Sequence, residues 1–495
     1  MPKHAVKLLS AASFLRWAPG FAILFAAGCD SSGDIGATNS EFGSTARSGD
    51  DAATPTYGGS FSGDGGRGEG GSRCENLCLK QKACPGGGTT SLSGTVFDPA
   101  GKVPLYNVIV YVPNAPVAKI THGASCDRCG DVSGSPLVSA ITDAAGHFLL
   151  TNVPVGSNIP LIVQVGKWRR QLTIANVPEC TDTQLPASQT RLPKNQSEGD
   201  IPKIALTTGG ADALECFLRK VGLEDSEFSG GGGAGSVHLY RGSPQATSGM
   251  RATSAFDAAH GGSTLGSAQT LWSDAKNLQA YDMLLLSCEG HTYSSTKPQS
   301  ALDALYTYTT LGGRVFASHW HRYWFSPTAD LTSTPLLATS PFPNLGVWLD
   351  VDPFPESIQA TVNTSFPKGQ AMQTWLGNVG ALQSGKLPIN GARDNLESVN
   401  SVNAQSWITY GSPTAVEYMS FNVPLGVAED KQCGRVVYSD LHVSAGVGDQ
   451  PGAAWPAGCV TTELSAQEKA LEFMLFDLSA CVQSDSRPPS SPSIQ

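Results

Sequence analysis

The chain of 495 residues has few charged side chains and no dense cluster of basic ones. Asp and Glu outnumber Lys and Arg by 42 to 32, so the formal net charge is −10 at pH 7. A surface that binds nucleic-acid phosphates needs clustered Lys and Arg, and the sequence therefore argues against a nucleic-acid partner. Gly (55) and Pro (32) are plentiful instead, which favours strands, turns and loops.

Residues 1–28 have the features of an export signal. Lys3 and Lys7 form a positive start, and the short apolar stretch Phe21–Ala27 ends in small residues. The sequence Ala-Ala-Gly-Cys that ends at Cys29 resembles a bacterial lipobox, although Ala26 stands where that motif prefers Leu. The resemblance implies that Cys29 carries the lipid of a membrane-anchored lipoprotein, on the periplasmic or outer-membrane surface. An ordinary secretory signal is the alternative.

The segment that follows, residues 29–72, is rich in Gly, Ser, Ala and Thr and has almost nothing to bury. We interpret it as a disordered tether. No stretch beyond the signal is long and apolar enough to be predicted as a membrane span. The membrane is therefore expected as a partner only through the lipid anchor.

The cysteines agree with export. Six of them lie in the first folded region (Cys74, Cys78, Cys84, Cys126, Cys129 and Cys180), and their spacing allows disulfides or zinc, with disulfides favoured in an exported protein. Five more lie in the second region (Cys216, Cys288, Cys433, Cys459 and Cys481). The number is odd, so one thiol should be free, and we expect it to be Cys288.

Short alternating strands with Gly and Pro turns predict a small β-sandwich over residues 73–182. The stretches GTVFDPAGKVPLYNVIVYV (94–112) and TDAAGHFLLTNVPVG (142–156) resemble the two halves of a carboxypeptidase regulatory-like, transthyretin-like domain. That family is usually a spacer or a binding platform. Some relatives bind carbohydrate, but Trp168 alone is interpreted as a packing residue.

A polar linker is predicted over residues 183–200, an α/β domain over 201–482 with an insertion at 326–411, and a disordered tail over 483–495. Alternating strands and helices predict a doubly wound, flavodoxin-like fold. The stretches YDMLLLSCEG (281–290), LGGRVFASHWH (311–321) and GRVVYSDLHVS (434–444) resemble the class I glutamine-amidotransferase-like superfamily, and within it the ThuA-like proteins. The family's nucleophilic Cys would stand at Ser318-His319-Trp320, so glutamine hydrolysis is not implied. His442 matches the family's C-terminal His.

The candidate site follows from a strand–helix–strand unit, residues 281–325. Its two strands should be parallel neighbours, and ligands of such sheets bind outside the carboxyl ends of the strands. The ionisable and aromatic side chains expected at those ends are Cys288, Glu289, His291, His319, Trp320, His321, Asp440 and His442. We expect Cys288, His319, His321 and His442 to converge on one crevice.

Three chemistries are compatible with these residues. Cys288 could be a thiolate nucleophile with His291, His319 or His442 as its base. A divalent metal could be held by His319, His321 and His442, with Glu289 or Asp440. Asp440 could orient the ring of His442. The simpler alternatives are a buried free thiol, aromatic packing around residues 319–325, and a surface turn.

Two functions remain open from the sequence. The first is ligand binding by an envelope-anchored protein, with Glu289, His291, His321 and Trp320 as binding residues. The insertion carries Trp348, Trp375 and Trp407 and could be a lid over a carbohydrate or another planar ligand, or a separate small core. The second is a hydrolase-like enzyme in which Cys288, His319, His442 and Asp440 are catalytic. No cofactor is required by the motifs; a divalent metal is the one that they allow.

Overall fold

The computed structural model describes residues 74–127, 129, 132–242, 251–326, 338–349, 354–412, 414–492 and 494. The predicted signal, Cys29 and the tether lie outside this part of the chain. Residues 70–495 form one compact unit. Among the described residues, no helix combines the length and the apolar character needed to cross a bilayer.

The first folded part consists mainly of strands. Its elements are β1 (Ser91–Thr95), β2 (Ile109–Pro113), β3 (Pro136–Ile141), β4 (His147–Thr151), β5 (Gly156–Val165), β6 (Trp168–Val177), β7 (Asp182–Gln184) and the short helix α1 (Ala187–Thr190). They form a sheet β4-β1-β7 and a sheet β3-β2-β5-β6. Leu92 and Leu150 of one sheet share a core with Val110 and Leu161 of the other, which is the arrangement of a β-sandwich.

The second folded part alternates strands and helices before it adds a run of strands. The elements are β8 (Ile204–Thr208), α2 (Leu214–Val221), β9 (Phe228–Gly230), β10 (Val237–Arg241), β11 (Gly266–Ser267), α3 (Ala268–Trp272), α4 (Ala275–Gln279), β12 (Met283–Leu286), α5 (Gln299–Thr310), β13 (Arg314–Ser318), β14 (Gly346–Trp348), β15 (Ser357–Val362), α6 (Pro367–Asn378), β16 (Leu387–Asn390), β17 (Leu396–Val399), β18 (Gln405–Gly411), β19 (Thr414–Val423), β20 (Gly434–Ser439) and α7 (Ala466–Ser479). Helix α7 begins with a capping box of Ser465 and Glu468, as the spacing Ser-x-x-Glu indicates.

The largest sheet has eleven strands. Its path is β11-β10-β8-β12-β13-β20-β19-β18-β15-β16, and β9 pairs with β10. The strands β10, β8, β12, β13 and β20 are parallel neighbours, whereas β20, β19, β18, β15 and β16 pair antiparallel. The chain leaves β8 for β10 on one side and returns to β12 on the other, so the strand order reverses beside β8. A crevice is expected there, at the carboxyl ends of the parallel strands.

Each face of the parallel strands packs against its own helices, because successive side chains of a strand point to opposite faces. The residues on one face, together with helices α2 and α7, include Leu206, Leu285, Phe316 and Val437. The residues on the other face, together with α3, α4 and α5, include Leu284, Val315, Val436 and Tyr438. Burial on both faces explains why these strands are apolar runs without alternation.

The first of the two cores continues into the sandwich. Phe473 of α7 stacks on Tyr106 at a ring distance of 5.7 Å, and Phe476 meets the edge of Trp168, also at 5.7 Å. Trp168 is fully buried, which confirms its prediction as a packing residue. Helix α7 therefore belongs to the cores of both folded parts.

Three predicted segments differ from the structure. Residues 183–200 are not a free linker, because Thr190 and Leu192 are fully buried and Arg191 binds Glu198. The predicted tail, residues 483–495, is fixed near its start, since Asp485 accepts a bond of 2.8 Å from buried Arg435. The insertion is no separate lid: β15, β16 and β18 extend the large sheet, and Trp375 and Trp407 lie in the core.

Ten cysteines form five disulfides. The bonds are Cys74–Cys78, Cys84–Cys180, Cys126–Cys433, Cys129–Cys481 and Cys216–Cys459. The cysteines of the first region do not all pair with one another, because two of them, Cys126 and Cys129, are bonded to cysteines of the second region. Cys288 is the free thiol among the described cysteines, as predicted. Five disulfides indicate an exported protein, since such bonds persist in oxidising compartments.

Candidate functional site

Cys288 lies just past the carboxyl end of β12, where that strand passes the end of β8. The backbone amides of Ala211 and Asp212 donate to the Cys288 carbonyl at 3.0 and 3.4 Å. A Cβ atom on Gly209 would lie 2.2 Å from the same carbonyl oxygen. Glycine at 209 therefore permits the close approach of the two strand ends that buries Cys288.

His319 lies at a sharp turn between β13 and the 3-10 helix His319–Trp324 that follows it directly. Its φ angle is 40°, in the left-handed region that few residues other than Gly adopt, although His, Asn and Asp adopt it more often than the rest. The turn projects the imidazole of His319 toward the end of β12. Strained backbone of this kind is concentrated at functional sites, and it is the strand-to-helix turn where the resemblance would place a Cys.

The side chains of Cys288, His319 and His442 meet at this edge of the sheet. The Cys288 Sγ atom lies 3.6 Å from His319 Nδ1, and His319 Nδ1 lies 3.0 Å from His442 Nε2. The three potential ligand atoms lie within 4.8 Å of one another. Three of the four residues predicted to share a crevice therefore do so.

Hydrogen bonds orient both imidazoles toward this cluster. His319 Nε2 lies 2.8 Å from Asn395 Oδ1, while the Asn395 amide nitrogen donates to the Leu349 carbonyl at 3.1 Å. The amide oxygen is thus the acceptor, so His319 carries its proton on Nε2 and directs the Nδ1 lone pair at Cys288 and His442. On the other side, Arg393 Nη2 lies 3.4 Å from His442 Nδ1.

Burial sets the charge state of the cluster. It lowers the pKa of His319 well below its usual value, with the neighbouring His442 adding to the effect, and it also lowers the pKa of His442. Both rings are therefore neutral near pH 7. Burial, together with the Asp212 carboxylate, raises the pKa of the Cys288 thiol, so the sulfur is a thiol in the metal-free protein.

Asp212 supplies a buried negative charge behind the cluster. Its carboxylate accepts bonds from the Ser318 hydroxyl and from the backbone amide of Ser444, the latter at 3.1 Å. The carboxylate also opposes the fall in the pKa of His442. Asp212 lies between β8 and α2. Because its side chain bonds Ser318 at the end of β13 and Ser444 after β20, it links the ends of three segments.

His321 is not part of the cluster, and the prediction that it would be was wrong. Its Nε2 lies 2.9 Å from the Ser287 carbonyl, and its Nδ1 accepts from the Trp324 indole at 3.0 Å. Both ring nitrogens are used in the interior, and burial lowers the pKa of the ring to about 4. The prediction assumed an extended strand at 319–321, in which both rings share a face, whereas the backbone there is a 3-10 helix.

Two acidic residues predicted for the site have structural partners instead. Glu289 forms a buried ion pair with Lys297 at 2.5 Å. Asp440 does not contact His442 in the described hydrogen bonds; it accepts from the Leu396 amide at 2.7 Å and from the Tyr438 hydroxyl at 2.8 Å. Burial raises the pKa of Asp440 to about 6.

Aromatic side chains border the cluster. The Trp320 ring lies 4.9 Å from the His319 ring, and His291 stacks on Trp320 at 5.7 Å with an interplanar angle of 18°. His291 is exposed and Trp320 is partly exposed. These two predicted binding residues therefore border the cluster and are not among its three ligand-bearing side chains.

Three residues of this site were not predicted from the sequence. Asp212 follows the end of β8 and could have been found by extending the strand-end argument to that strand. Arg393 and Asn395 belong to the predicted insertion and follow β16, which is antiparallel to its neighbour. They reach the site through a backbone bond of 3.0 Å from the Arg393 amide to the Asp440 carbonyl, a contact without a local sequence signal.

Comparison with known proteins does not assign the chain to a family. No protein-family description and no curated protein matches the sequence. Among solved structures, a type II cohesin–X-dockerin complex from Acetivibrio cellulolyticus is 16% identical over 28% of this chain and 75% of that chain, with a TM-score of 0.14. A 9R-lipoxygenase from Cyanothece PCC8801 is 17% identical over 20% of this chain and 16% of that chain, with a TM-score of 0.12. BcpA, the major pilin subunit of Bacillus cereus, is 14% identical over 22% of this chain and 30% of that chain, with a TM-score of 0.14. Likenesses at these TM-scores carry no argument about this protein.

Proposed function

We propose that this exported protein is a metal-dependent hydrolase whose metal ion is held by Cys288, His319 and His442. The observation that carries the proposal is the convergence of one sulfur and two imidazole nitrogens within 4.8 Å. Tetrahedral zinc with bonds of about 2.05 Å to nitrogen and 2.3 Å to sulfur places two nitrogens about 3.3 Å apart and nitrogen and sulfur about 3.6 Å apart. Two of the three distances, 3.0 and 3.6 Å, are close to these values, and the third, between Cys288 and His442, is within 4.8 Å.

The donor set is typical of a catalytic centre. Catalytic zinc sites have three protein ligands and keep one position open. Cys288 and His319 are buried, whereas His442 is partly exposed, so the approach to the centre is on the His442 side. A bound zinc ion would supply Lewis-acid chemistry for hydrolysis. Asn395 would hold His319 in the ligating tautomer, and Asp212 would offset part of the metal's charge.

A thiol nucleophile is supported less well. Cys288 Sγ lies 3.6 Å from His319 Nδ1, which would suit an imidazole base. However, burial and Asp212 raise the pKa of the thiol, whereas nucleophilic cysteines have a lowered pKa. The same carboxylate that opposes a free thiolate would favour a bound cation.

Ligand binding without chemistry is the second candidate, and one observation favours it. Trp320 and His291 present a stacked pair of rings beside the cluster. Such a surface suits a planar or sugar ring, and the sandwich would then be a spacer or a second binding platform. On this proposal the protein is an envelope-anchored lipoprotein that binds a small molecule, with a carbohydrate as the favoured class.

We infer a flavodoxin-like topology for the second part. In chain order its five central parallel strands are β8, β10, β12, β13 and β20, and their spatial order is 2-1-3-4-5; the short strands β9 and β11 also pair parallel with β10. This order supports the resemblance to the amidotransferase-like superfamily. The resemblance of the sandwich to carboxypeptidase regulatory-like domains stays a prediction.

Metal analysis tests the proposed function. The full chain, stripped with a chelator and reloaded, should bind one Zn²⁺ or Co²⁺ ion, and the Co²⁺ form should show a thiolate charge-transfer absorption. Cys288→Ser should lose that absorption, and His442→Gln should lose most of the affinity. His147→Gln is the matched control, because that side chain is 65% exposed on β4. Wild-type protein that binds neither ion would leave the ligand-binding candidate.

A further inference from the structure

Arg393 places a guanidinium group beside the candidate metal centre. The residue follows the turn after β16, and its backbone amide donates to the carbonyl of Asp440 at 3.0 Å. Its Nη1 donates to the Ala392 carbonyl at 2.6 Å, and its Nη2 lies 3.4 Å from His442 Nδ1. The side chain is 28% exposed, so solvent reaches the group at the approach to the centre.

The carboxylate that pairs with Arg393 is a weak partner. Glu356 Oε1 lies 4.0 Å from Arg393 Nη2, and the Glu356 side chain is 78% exposed. An exposed pair at this distance contributes little stability, about 0–1 kcal/mol. By contrast, the shortest arginine-to-carboxylate distances at Arg191, Arg219 and Arg435 are 2.5, 2.6 and 2.6 Å.

A second acidic group near Arg393 is a weakened counter-charge. Glu417 lies within electrostatic range of Arg393, but burial raises the pKa of that carboxyl well above its usual value, with Asp440 adding to the effect. Glu417 therefore holds its negative charge less readily than an ordinary carboxyl group. A guanidinium has five N–H donors in a planar fork that matches carboxylate and phosphate oxygens. The geometry at Arg393 leaves part of this fork for a ligand.

We propose that Arg393 binds an anionic group, a carboxylate or a phosphate, and that the substrate of the adjacent centre carries this group. The part that concerns the substrate rests on the proposed function, whereas anion binding by Arg393 does not. An anion held at Arg393 would lie next to His442, so the neighbouring part of the same molecule would reach Cys288 and His319. Glu356 would compete with the anion for the guanidinium.

Calorimetric titration with inorganic phosphate and, separately, with acetate tests the proposal. It is carried out on the full chain in metal-free and Zn²⁺-loaded forms at low ionic strength, because salt screens such contacts. We expect Arg393→Gln to weaken binding of the preferred anion at least tenfold, and Glu356→Gln to strengthen it. The titration of the metal-free form separates this proposal from the metal proposal, because it measures anion binding whether or not a variant still binds Zn²⁺. Arg487→Gln is the control, since that side chain is 71% exposed and pairs with Glu429 at 3.1 Å.

The outcomes decide both the site and the class of anion. Binding of phosphate alone, or of acetate alone, that depends on Arg393 would support the proposal and identify the group. Equal affinity of wild type and Arg393→Gln, an equal loss in Arg487→Gln, or no binding of either anion by wild type would overturn it. If wild type binds no metal, the metal-free titration still gives one of these results.

Discussion

At the scale of single residues, Asn395 makes a specific contribution to the proposed centre. Its amide oxygen accepts from His319 Nε2 at 2.8 Å and thereby fixes the ligating tautomer. We predict that Asn395→Ala lowers Zn²⁺ affinity by about 10–100-fold, the usual cost of losing such a partner. A competition titration with a chromogenic chelator measures the change. Asn378→Ala is the control, because Asn378 is exposed and bonds the Ala144 carbonyl; equal affinity of the two variants would contradict the assigned role.

A buried pair of carboxyl groups gives a second prediction at this scale. Asp98 of the sandwich and Glu472 of α7 are both fully buried. Burial raises the pKa of Asp98 to about 6, and burial together with Asp98 raises the pKa of Glu472 well above its usual value. Both pKa values are higher in the folded state than in the unfolded chain, so the folded state binds more protons between about pH 4 and pH 6.

The sign of the pH effect follows directly. The stability associated with Asp98 is fully present below about pH 4 and is lost as the pH rises through 6, by at most about 1.4 kcal/mol per pH unit. The stability associated with Glu472 is also lost as the pH rises, because its pKa is raised in the folded state. Glu472→Gln should therefore flatten the profile of unfolding free energy against pH, measured by urea denaturation. Glu463→Gln, at an exposed pair with Lys102, should not. Identical slopes in wild type and Glu472→Gln would show that the pair is not coupled to folding.

The residues of the site could be predicted only where the local sequence pattern determines the backbone conformation. Cys288 and His442 follow buried parallel strands, so their convergence could be predicted from strand ends alone. The sharp turn at His319 could not be predicted, because a φ of 40° at this residue depends on tertiary packing. The same turn directs the side chain of His321 away from the site. Asn395 comes from a segment whose position depends on long-range antiparallel pairing, and no local pattern in the sequence encodes it.

At the scale of elements, helix α7 joins the two folded parts. Phe473 contacts the rings of Tyr106, Trp375 and Trp407 at 5.7, 5.5 and 6.1 Å. We predict that Phe473→Ala lowers the free energy of unfolding by about 3–5 kcal/mol, as expected for the cavity left by a buried Phe. Leu149→Ala, at a side chain that is 57% exposed on β4, should change it by about 0.5 kcal/mol or less. Similar values for the two variants in chemical denaturation would contradict this role of α7.

A helix or strand can be predicted from the sequence when contacts between residues close in sequence define it, and not when long-range pairing does. The strands β12, β13 and β20 are short apolar runs, and α7 begins with a capping box, so local pattern was sufficient for them. Strand β6 was missed because its charged and polar residues interrupt the apolar alternation. The strands of the insertion were missed because they join the large sheet through the pairing of β18 with β19, and the hydrophobic period does not encode that pairing.

At the scale of the whole molecule, the predicted position of the protein in the envelope depends on Cys29. The signal-like N-terminus, the small residues before Cys29 and the polar stretch after it predict a lipid anchor followed by a tether. We expect metabolic labelling with a fatty acid to mark the wild-type protein and not Cys29→Ala. Labelling of both at the same level would mean that the fatty acid is attached at a residue other than Cys29. The five disulfides are compatible with either result.

The shared core also changes what limited proteolysis should give. A polar linker at residues 183–200 would be cut first and would release a sandwich and an α/β fragment. Instead, Leu192 is fully buried in the core that contains Phe476 and Trp168. Cleavage needs local unfolding of the chain, so we predict that a protease leaves one protected product that spans residues 183–200.

The disulfides give this experiment a second readout. Cys126–Cys433 and Cys129–Cys481 join the two folded parts across sequence separations of 307 and 352 residues. Any chain cut within 183–200 would therefore run as one species without reductant and as two with it. Two fragments that separate without reductant would contradict both the shared core and the disulfide pairing. Two fragments that appear only after reduction would contradict the burial of 183–200 alone, because the bonds between the parts would still be required to hold the cut chain together.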